Sequence, residues 1–188
     1  MKQDRQHFFA YDNAQRRKEI NPETLLTDIG LKSGQTFVDV GCGQGFFAIP
    51  AAKMVGTQGK VYALDANAEF IAILRQNLAK EGLSNVALTL GRAEESVLCE
   101  HCADVVFFGQ VLHDFTDPAK VLLNARNMLQ PTGRLVNVDW KKKEMPIGPP
   151  LARRFDEQQA TRLIETAGFK VETAREAGPY HYLITAKL

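Results

Sequence analysis

The chain of 188 residues is short of several things. Its 3 cysteines are an odd number and too few for a disulfide scaffold, which reads as a reduced, cytosolic protein. It has no charge of one sign to spare. Lys and Arg total 23 against 22 Asp and Glu, so no global field draws in nucleic acid or an anionic membrane. No apolar run approaches the ~20 residues that span a bilayer. Residues 1–20 hold no apolar stretch of signal-peptide length. Internal repeats and low-complexity segments are missing too. What remains is ordinary for a soluble globular protein, with 45% apolar and 24% charged residues. The length suits one domain, which buries roughly 70% of the surface its unfolded chain exposes.

From residue 20 onward, apolar runs alternate with helical patterns. Asn21-Pro22 opens a helix that Gly30 ends. Residues 37–40 form a strand running into Gly41, and a helix follows from Phe46 to about Val55. A strand over 61–64 ends in Asp65, and Asn67 caps the next helix, which Gly82 closes. Strands over 86–90 and 103–108 come next, then a helix from Asp117-Pro118, a turn at Pro131-Thr132-Gly133 and a strand over 135–138. Residues 141–150 are charged and then rich in Pro and Gly, so they read as a loop. Asp156 with Gln159 matches a capping box. Two last strands, 170–176 and 181–187, are separated by too few residues for a crossover helix and must be antiparallel to each other. Continuous apolar strands between helices predict an α/β fold with a mostly parallel sheet.

The informative stretch is Val38-Asp39-Val40-Gly41-Cys42-Gly43-Gln44-Gly45-Phe46: strand, glycine turn, helix start. Glycines let a ligand approach the backbone closely, and a dinucleotide site uses the same geometry. Two features oppose a dinucleotide here. Gly45 comes one residue early, with Phe46 where Gly or Ala is wanted, and Asp39 would repel a pyrophosphate. A cationic ligand reverses that sign. Asp65, ending the second strand, either accepts from ribose hydroxyls or caps the following helix.

With Gly91-Arg92-Ala93-Glu94, Asp104-Val105-Val106-Phe107-Phe108, His113 and Leu129-Gln130-Pro131-Thr132-Gly133-Arg134-Leu135 following in order, the chain resembles the class I S-adenosylmethionine-dependent methyltransferases, a small type 11-like prokaryotic subgroup in particular. The resemblance covers about residues 20–188. It implies a single Rossmann-like, doubly wound domain over 21–188, with a seven-stranded sheet in the order 3-2-1-4-5-7-6 and strand 7 antiparallel. It further implies that S-adenosyl-L-methionine is the cofactor. Gly41, Gly43 and Gly45 then approach its methionine part with Asp39 beside it, Asp65 holds the ribose, and the Ala93 N–H meets the adenine. Where the family often carries Asp before that alanine, this chain has Arg92, a donor only, with Glu94 as a substitute acceptor. The implied function is methyl transfer to an acceptor, expected to be a small molecule because the common core uses nearly the whole chain. A sensor or non-catalytic subunit that holds the cofactor is the alternative, and an NAD-dependent oxidoreductase is disfavoured by Asp39 and the glycine spacing.

Other residues admit two readings each. His113 is a candidate catalytic base or a loop-ordering residue bound to Asp114 or a carbonyl. Methyl transfer needs no base strictly, since alignment supplies much of the rate. Cys99-Glu100-His101-Cys102 has the form of a metal or redox pair, but no second pair completes a metal site, so none is expected. Residues 1–20, with Phe8, Phe9 and Tyr11 before Arg16-Arg17-Lys18, form an arm that acts as a lid or is a loose terminus. Trp140, at a strand end, is a pocket candidate. An amide-recognition motif of the Asn-Pro-Pro-Tyr type is missing after Phe108, which argues against base amino groups as acceptors.

Overall fold

A computed structural model describes residues 13–188. Its centre is a sheet of seven strands: β1 (Thr36–Val40), β2 (Lys60–Asp65), β3 (Val86–Leu90), β4 (Ala103–Gly109), β5 (Leu129–Trp140), β6 (Lys170–Ala177) and β7 (His181–Lys187). The order is β3-β2-β1-β4-β5-β7-β6. Strands β1 to β5 pair in parallel, whereas β7 runs antiparallel to both β5 and β6. The topology is the one that the family resemblance implies, and the antiparallel last pair is the one read from the chain itself.

Strand alternation divides the core into two layers. Phe37, Val61, Val105, Phe107, Val136 and Leu183 face one side. There they pack on α2 (Pro22–Asp28), α3 (Ala48–Val55) and α4 (Ala68–Lys80). Val38, Val40, Val106, Phe108, Leu135 and Ile184 face the other side, against α5 (Pro118–Met128) and α6 (Glu157–Thr166). Helix starts follow the local chemistry. Asn21, Asn67 and Asp117 each accept a backbone N–H of the first turn, and Asp156 with Gln159 forms the full capping box.

Four features depart from the sequence reading. Regular helix begins at Ala48 rather than Phe46, although the Ile49 N–H already reaches Gly45 O at 3.1 Å. Strand β5 starts at Leu129, and the expected turn at Pro131-Thr132-Gly133 is a bulge inside it. Leu129 pairs with Ala103 and Arg134 with Val105, and a Cβ on Gly133 would come within 2.5 Å of Ala103 O. Part of the N-terminal arm is helix, α1 (Asn13–Glu19), followed by buried Ile20. Phe8, Phe9 and Tyr11 lie outside the described residues. Finally, Cys99 and Cys102, expected as thiols, form a disulfide. Left-handed His101 (φ 49°) turns the chain back between them, and the His101 and Cys102 N–H groups bind Asn127 O and Met128 O. Among the described residues no cluster of His, Cys, Asp and Glu suits a metal ion, and no helix is long and apolar enough to cross a membrane.

The segment between β5 and α6 is ordered by one side chain. Arg154 is buried, and its guanidinium donates to the carbonyls of Pro149 (2.7 Å), Ile147 (3.1 Å), Lys143 (3.0 Å) and Lys141 (3.2 Å). A planar cation with donors in several directions is suited to this role, because it satisfies carbonyls that no ladder reaches. Replacing Arg154 with Met removes all four donors at similar length. Since charge-assisted bonds are worth about 1.5–3 kcal/mol, the melting temperature is expected to fall by about 5 °C or more. Proteolysis after Lys141–Lys143 is expected to accelerate in the folded protein. An unchanged melting point and digestion pattern would show that the loop is held by other contacts.

Candidate functional site

In an open α/β sheet, ligands gather at the carboxyl ends of the strands, where neighbouring connections leave to opposite faces. Here the end of β1 is tied to β2. The Gly41 and Cys42 N–H groups donate to Leu64 O at 2.8 and 3.0 Å, and the Gly43 N–H donates to Asp65 Oδ2 at 2.8 Å. The other Asp65 oxygen accepts the Asn67 N–H at 2.8 Å. Asn67, not Asp65, caps α4. Asp65 is half-buried, and each of its oxygens keeps a lone pair after these bonds.

The three glycines of the loop differ in what they face. A Cβ on Gly41 would strike Val111 at 2.6 Å, and one on Gly45 would strike Leu74 at 2.4 Å, so these two are glycines because the protein packs against them. Gly43 (φ 54°) has nothing within 4 Å of that position. It presents bare backbone to open space.

Asp39 is the electrostatic anomaly of the site. It is 1% exposed, and its Oδ2 has no hydrogen-bond partner among the described residues. Burial first, then the charge of Asp65, push its carboxyl up to about 7, against the pull of Arg16 and the Ala48 N–H. Burial and the same two carboxylates push the neighbouring Cys42 thiol up as well, so Cys42 is no nucleophile.

Ala93 opens a short 3-10 turn, Ala93–Glu95, after β3. Its carbonyl accepts from Asn124 Nδ2 at 2.9 Å. Glu94 Oε1 accepts the N–H groups of Thr116 and Asp117 at 2.9 and 3.4 Å, which fastens this turn to the start of α5. The structure therefore brings Asp39, the glycine loop and Asp65 together directly. It gives Glu94 a bracing contact with the chain beyond His113.

Two polar groups lie past β4. On one side of the sheet, Arg16 of α1 sits 3.9 Å from the centre of the Phe46 ring, and its Nε donates to Gln110 Oε1 at 3.0 Å. Gln110, a non-glycine residue at φ 62°, must then turn Nε2 toward His181 Nε2. His181 is neutral: burial, then the charges of Arg16, Lys141 and Arg154, lower its pKa to about 3. Its ring packs on Trp140 at 4.3 Å. On the other side, the fully buried His113 ring places Nδ1 2.7 Å from Asp139 Oδ1, which also accepts the Trp140 N–H at 2.8 Å. Burial lowers the His113 pKa, but the Asp139 charge and hydrogen bond, with Asp114, outweigh it and raise it overall.

Sequence reasoning singled out His113 and Trp140 but missed Asp139, Gln110 and His181. A signal existed for Asp139. In Leu135-Val136-Asn137-Val138-Asp139, the polar residues recur at the strand period on a side otherwise packed by Leu135. Polar side chains on an inward face at the carboxyl end of a strand mark a site.

Comparison with known proteins supplies the family. A family model described as "Methyltransferase domain" matches residues 31–176. The crystal structure of a SAM-dependent methyltransferase from Aquifex aeolicus is 32% identical, with a TM-score of 0.91 and 96% of both chains covered. The ubiquinone/menaquinone biosynthesis C-methyltransferase UbiE of Vibrio campbellii is 31% identical over 155 residues, 82% of this chain and 58% of that relative. The chain thus spans somewhat over half the length of the UbiE proteins it matches. The cyclase SpnF is 18% identical with a TM-score of 0.75 over 88% of this chain and 80% of its own, a likeness of fold alone.

The Asp39 geometry sets a pH dependence. A carboxyl whose folded pKa is raised above its unfolded value stabilises the protein below about pH 4 and loses that contribution as pH rises through about 7. Asp39→Asn removes the charge and keeps the shape. The variant and the wild type are expected to melt together at about pH 4, with the variant higher by about 4 °C or more near pH 8. A variant less stable at every pH in thermal denaturation would show that the carboxylate is satisfied by the fold itself.

Proposed function

Because the chain belongs to the class I S-adenosylmethionine-dependent methyltransferases, we propose that it moves a methyl group from S-adenosylmethionine to a small-molecule acceptor, with Asp39 as the anchor of the donor's ammonium. The observation that carries this reading is the buried Asp39 Oδ2, which has no partner among the described residues, on the strand that leads into the loop with the open Gly43. A buried carboxylate is costly until a cation with N–H donors meets it. An amino acid ammonium fits that requirement, whereas a pyrophosphate would face both Asp39 and Asp65. When bound, S-adenosylmethionine supplies a methyl on a positively charged sulfur that leaves as a neutral thioether.

The chain's own residues divide the binding work. Asp65 retains lone pairs for two ribose hydroxyls while it holds the loop through Gly43. Gly41 and Gly45 keep the loop close to the core, and Gly43 offers backbone to the methionine part. Ala93 borders the adenine, with Glu94 bracing its turn. His113 is the candidate base. Residues 1–20 act as a lid, a reading supported by α1, whose Arg16 reaches Phe46 at the loop and Gln110 beyond β4. Similarity to proteins named for C-methylation in quinone biosynthesis supports a small aromatic acceptor. The balanced charge supports neither nucleic acid nor an anionic membrane as partner.

Calorimetric titration tests the donor site. S-adenosylmethionine and S-adenosylhomocysteine are expected to bind and NAD is not. Asp65→Ala is expected to weaken both adenosyl ligands by about tenfold or more, the worth of a charge-assisted bond, without unfolding the protein. NAD binding in the absence of any response to the adenosyl ligands would overturn the reading, and unchanged affinity in Asp65→Ala would remove the ribose from that residue.

A further inference from the structure

The contacts around His113 identify a second working residue. Asp139 Oδ1 accepts the Trp140 N–H at 2.8 Å, so that oxygen acts as an acceptor, and His113 Nδ1 lies 2.7 Å from it. The shared proton therefore sits on Nδ1. A neutral imidazole carries one proton, so Nε2 holds the lone pair. Nε2 has no hydrogen-bond partner among the described residues. Its neighbour is Asp114 Oδ1 at 3.4 Å, and Asp114 is ion-paired to Arg153 of the loop after β5. With side chains 38% and 51% exposed, that pair is a weak tie. A buried carboxylate, an imidazole held in one tautomer and an Nε2 with no hydrogen-bond partner among the described residues make the arrangement of a positioned base.

Resting on the methyl-transfer reading above, we propose that Asp139 is a positioning residue that holds His113 as the base of the reaction, so that the acceptor is a group that gives up a proton as it is methylated. The acceptor atom exchanges hydrogen for methyl. The acceptor's electrons, a lone pair on oxygen or nitrogen or the ring π electrons at a ring carbon, form the new bond to the methyl carbon. The X–H bond breaks, its proton goes to His113 Nε2, and its electron pair stays behind, as a lone pair or returned to the ring. Phenols, hydroquinone ring carbons and primary amines belong to this class, and thioethers and tertiary amines do not. His181 takes no part: it lies on the opposite side of the sheet with Gln110 on its Nε2.

The charged and titratable groups around His113 are Asp139 on β5, Tyr182 on β7 beside Asp139, Asp114 on its own turn, and Arg153 and Arg154 from the loop after β5. Burial lowers the pKa of the ring and Arg153 adds to that, but the two carboxylates outweigh them and raise it overall. The rate of methyl transfer is expected to rise with pH through that raised value. In Asp139→Asn an amide N–H can face Nδ1, which favours the tautomer with the proton on Nε2 and abolishes the base.

Two readouts test this. Nitrogen NMR of the wild-type His113 ring should show the neutral form protonated on Nδ1. Methyl transfer should be seen within a panel of hydroquinones, catechols and primary amines, and not with dimethyl sulfide. In Asp139→Asn, kcat should fall by about a hundredfold with KM nearly unchanged, and the rising limb of the pH profile should move to lower pH or vanish. A proton on Nε2, transfer to dimethyl sulfide at a comparable rate, no transfer to any proton-bearing acceptor, or an unaltered profile in Asp139→Asn would each overturn the proposal. The NMR result is read on wild type and stands even if the variant does not fold. Failure of S-adenosylmethionine to bind the wild type would sink the reading beneath it. Binding with an unaltered profile would sink only the role of Asp139.

Discussion

A carboxylate buried at the end of the central strand governs how the site is built. Asp39 sits on β1 between β2 and β4, where it is 1% exposed and one oxygen has no partner among the described residues. Left charged, such a group costs stability. The rest of the site is arranged around that cost. The loop after β1 is pinned to β2 by Leu64 O and Asp65, which fixes its glycines at the end of the strand that carries Asp39.

The sheet then delivers different chemistry to its two sides by strand alternation alone. Asp39, Trp140 and His181 share a side with Phe107 and Leu183. Asn137, Asp139 and Tyr182 share the other with Phe108 and Ile184. One side thus carries the carboxylate suited to a cation and the Arg16–Gln110–His181 chain. The other carries the His113–Asp139 pair. The bulge in β5 near Leu129 keeps this register, because the strand resumes pairing at Arg134 and places Asp139 opposite Tyr182. A shift of one residue would send Asp139 to the wrong side.

Much of this was legible in the sequence, and the reasons separate cleanly. Apolar alternation and capping pairs such as Asp156 with Gln159 are local signals, and they located the strands and helices. The spacing of Asp39, the glycines and Asp65 pointed to the loop that the structure ties to β2, because that chemistry is contiguous. Residues whose role depends on a distant partner were not legible. Arg154 reads as one of several charges in a loop, and only the fold shows it satisfying four carbonyls. Asp139 lies 26 positions from His113, and Gln110 lies 71 from His181. The Cys99–Cys102 disulfide depends on the left-handed turn at His101, a conformation that a histidine seldom adopts and that no propensity would predict.

The central claim, that Asp39 waits for a cation, is tested most directly by counting protons. Binding of S-adenosylhomocysteine, which keeps the ammonium, is measured calorimetrically near pH 6 in buffers of different ionisation enthalpy. A carboxyl with a pKa of about 7 is mostly protonated there and must ionise when the ammonium arrives. Release of close to one proton is expected near pH 6, with little release above about pH 8 and loss of the effect in Asp39→Asn. Binding with no proton released near pH 6, or with the same release in Asp39→Asn, would contradict it.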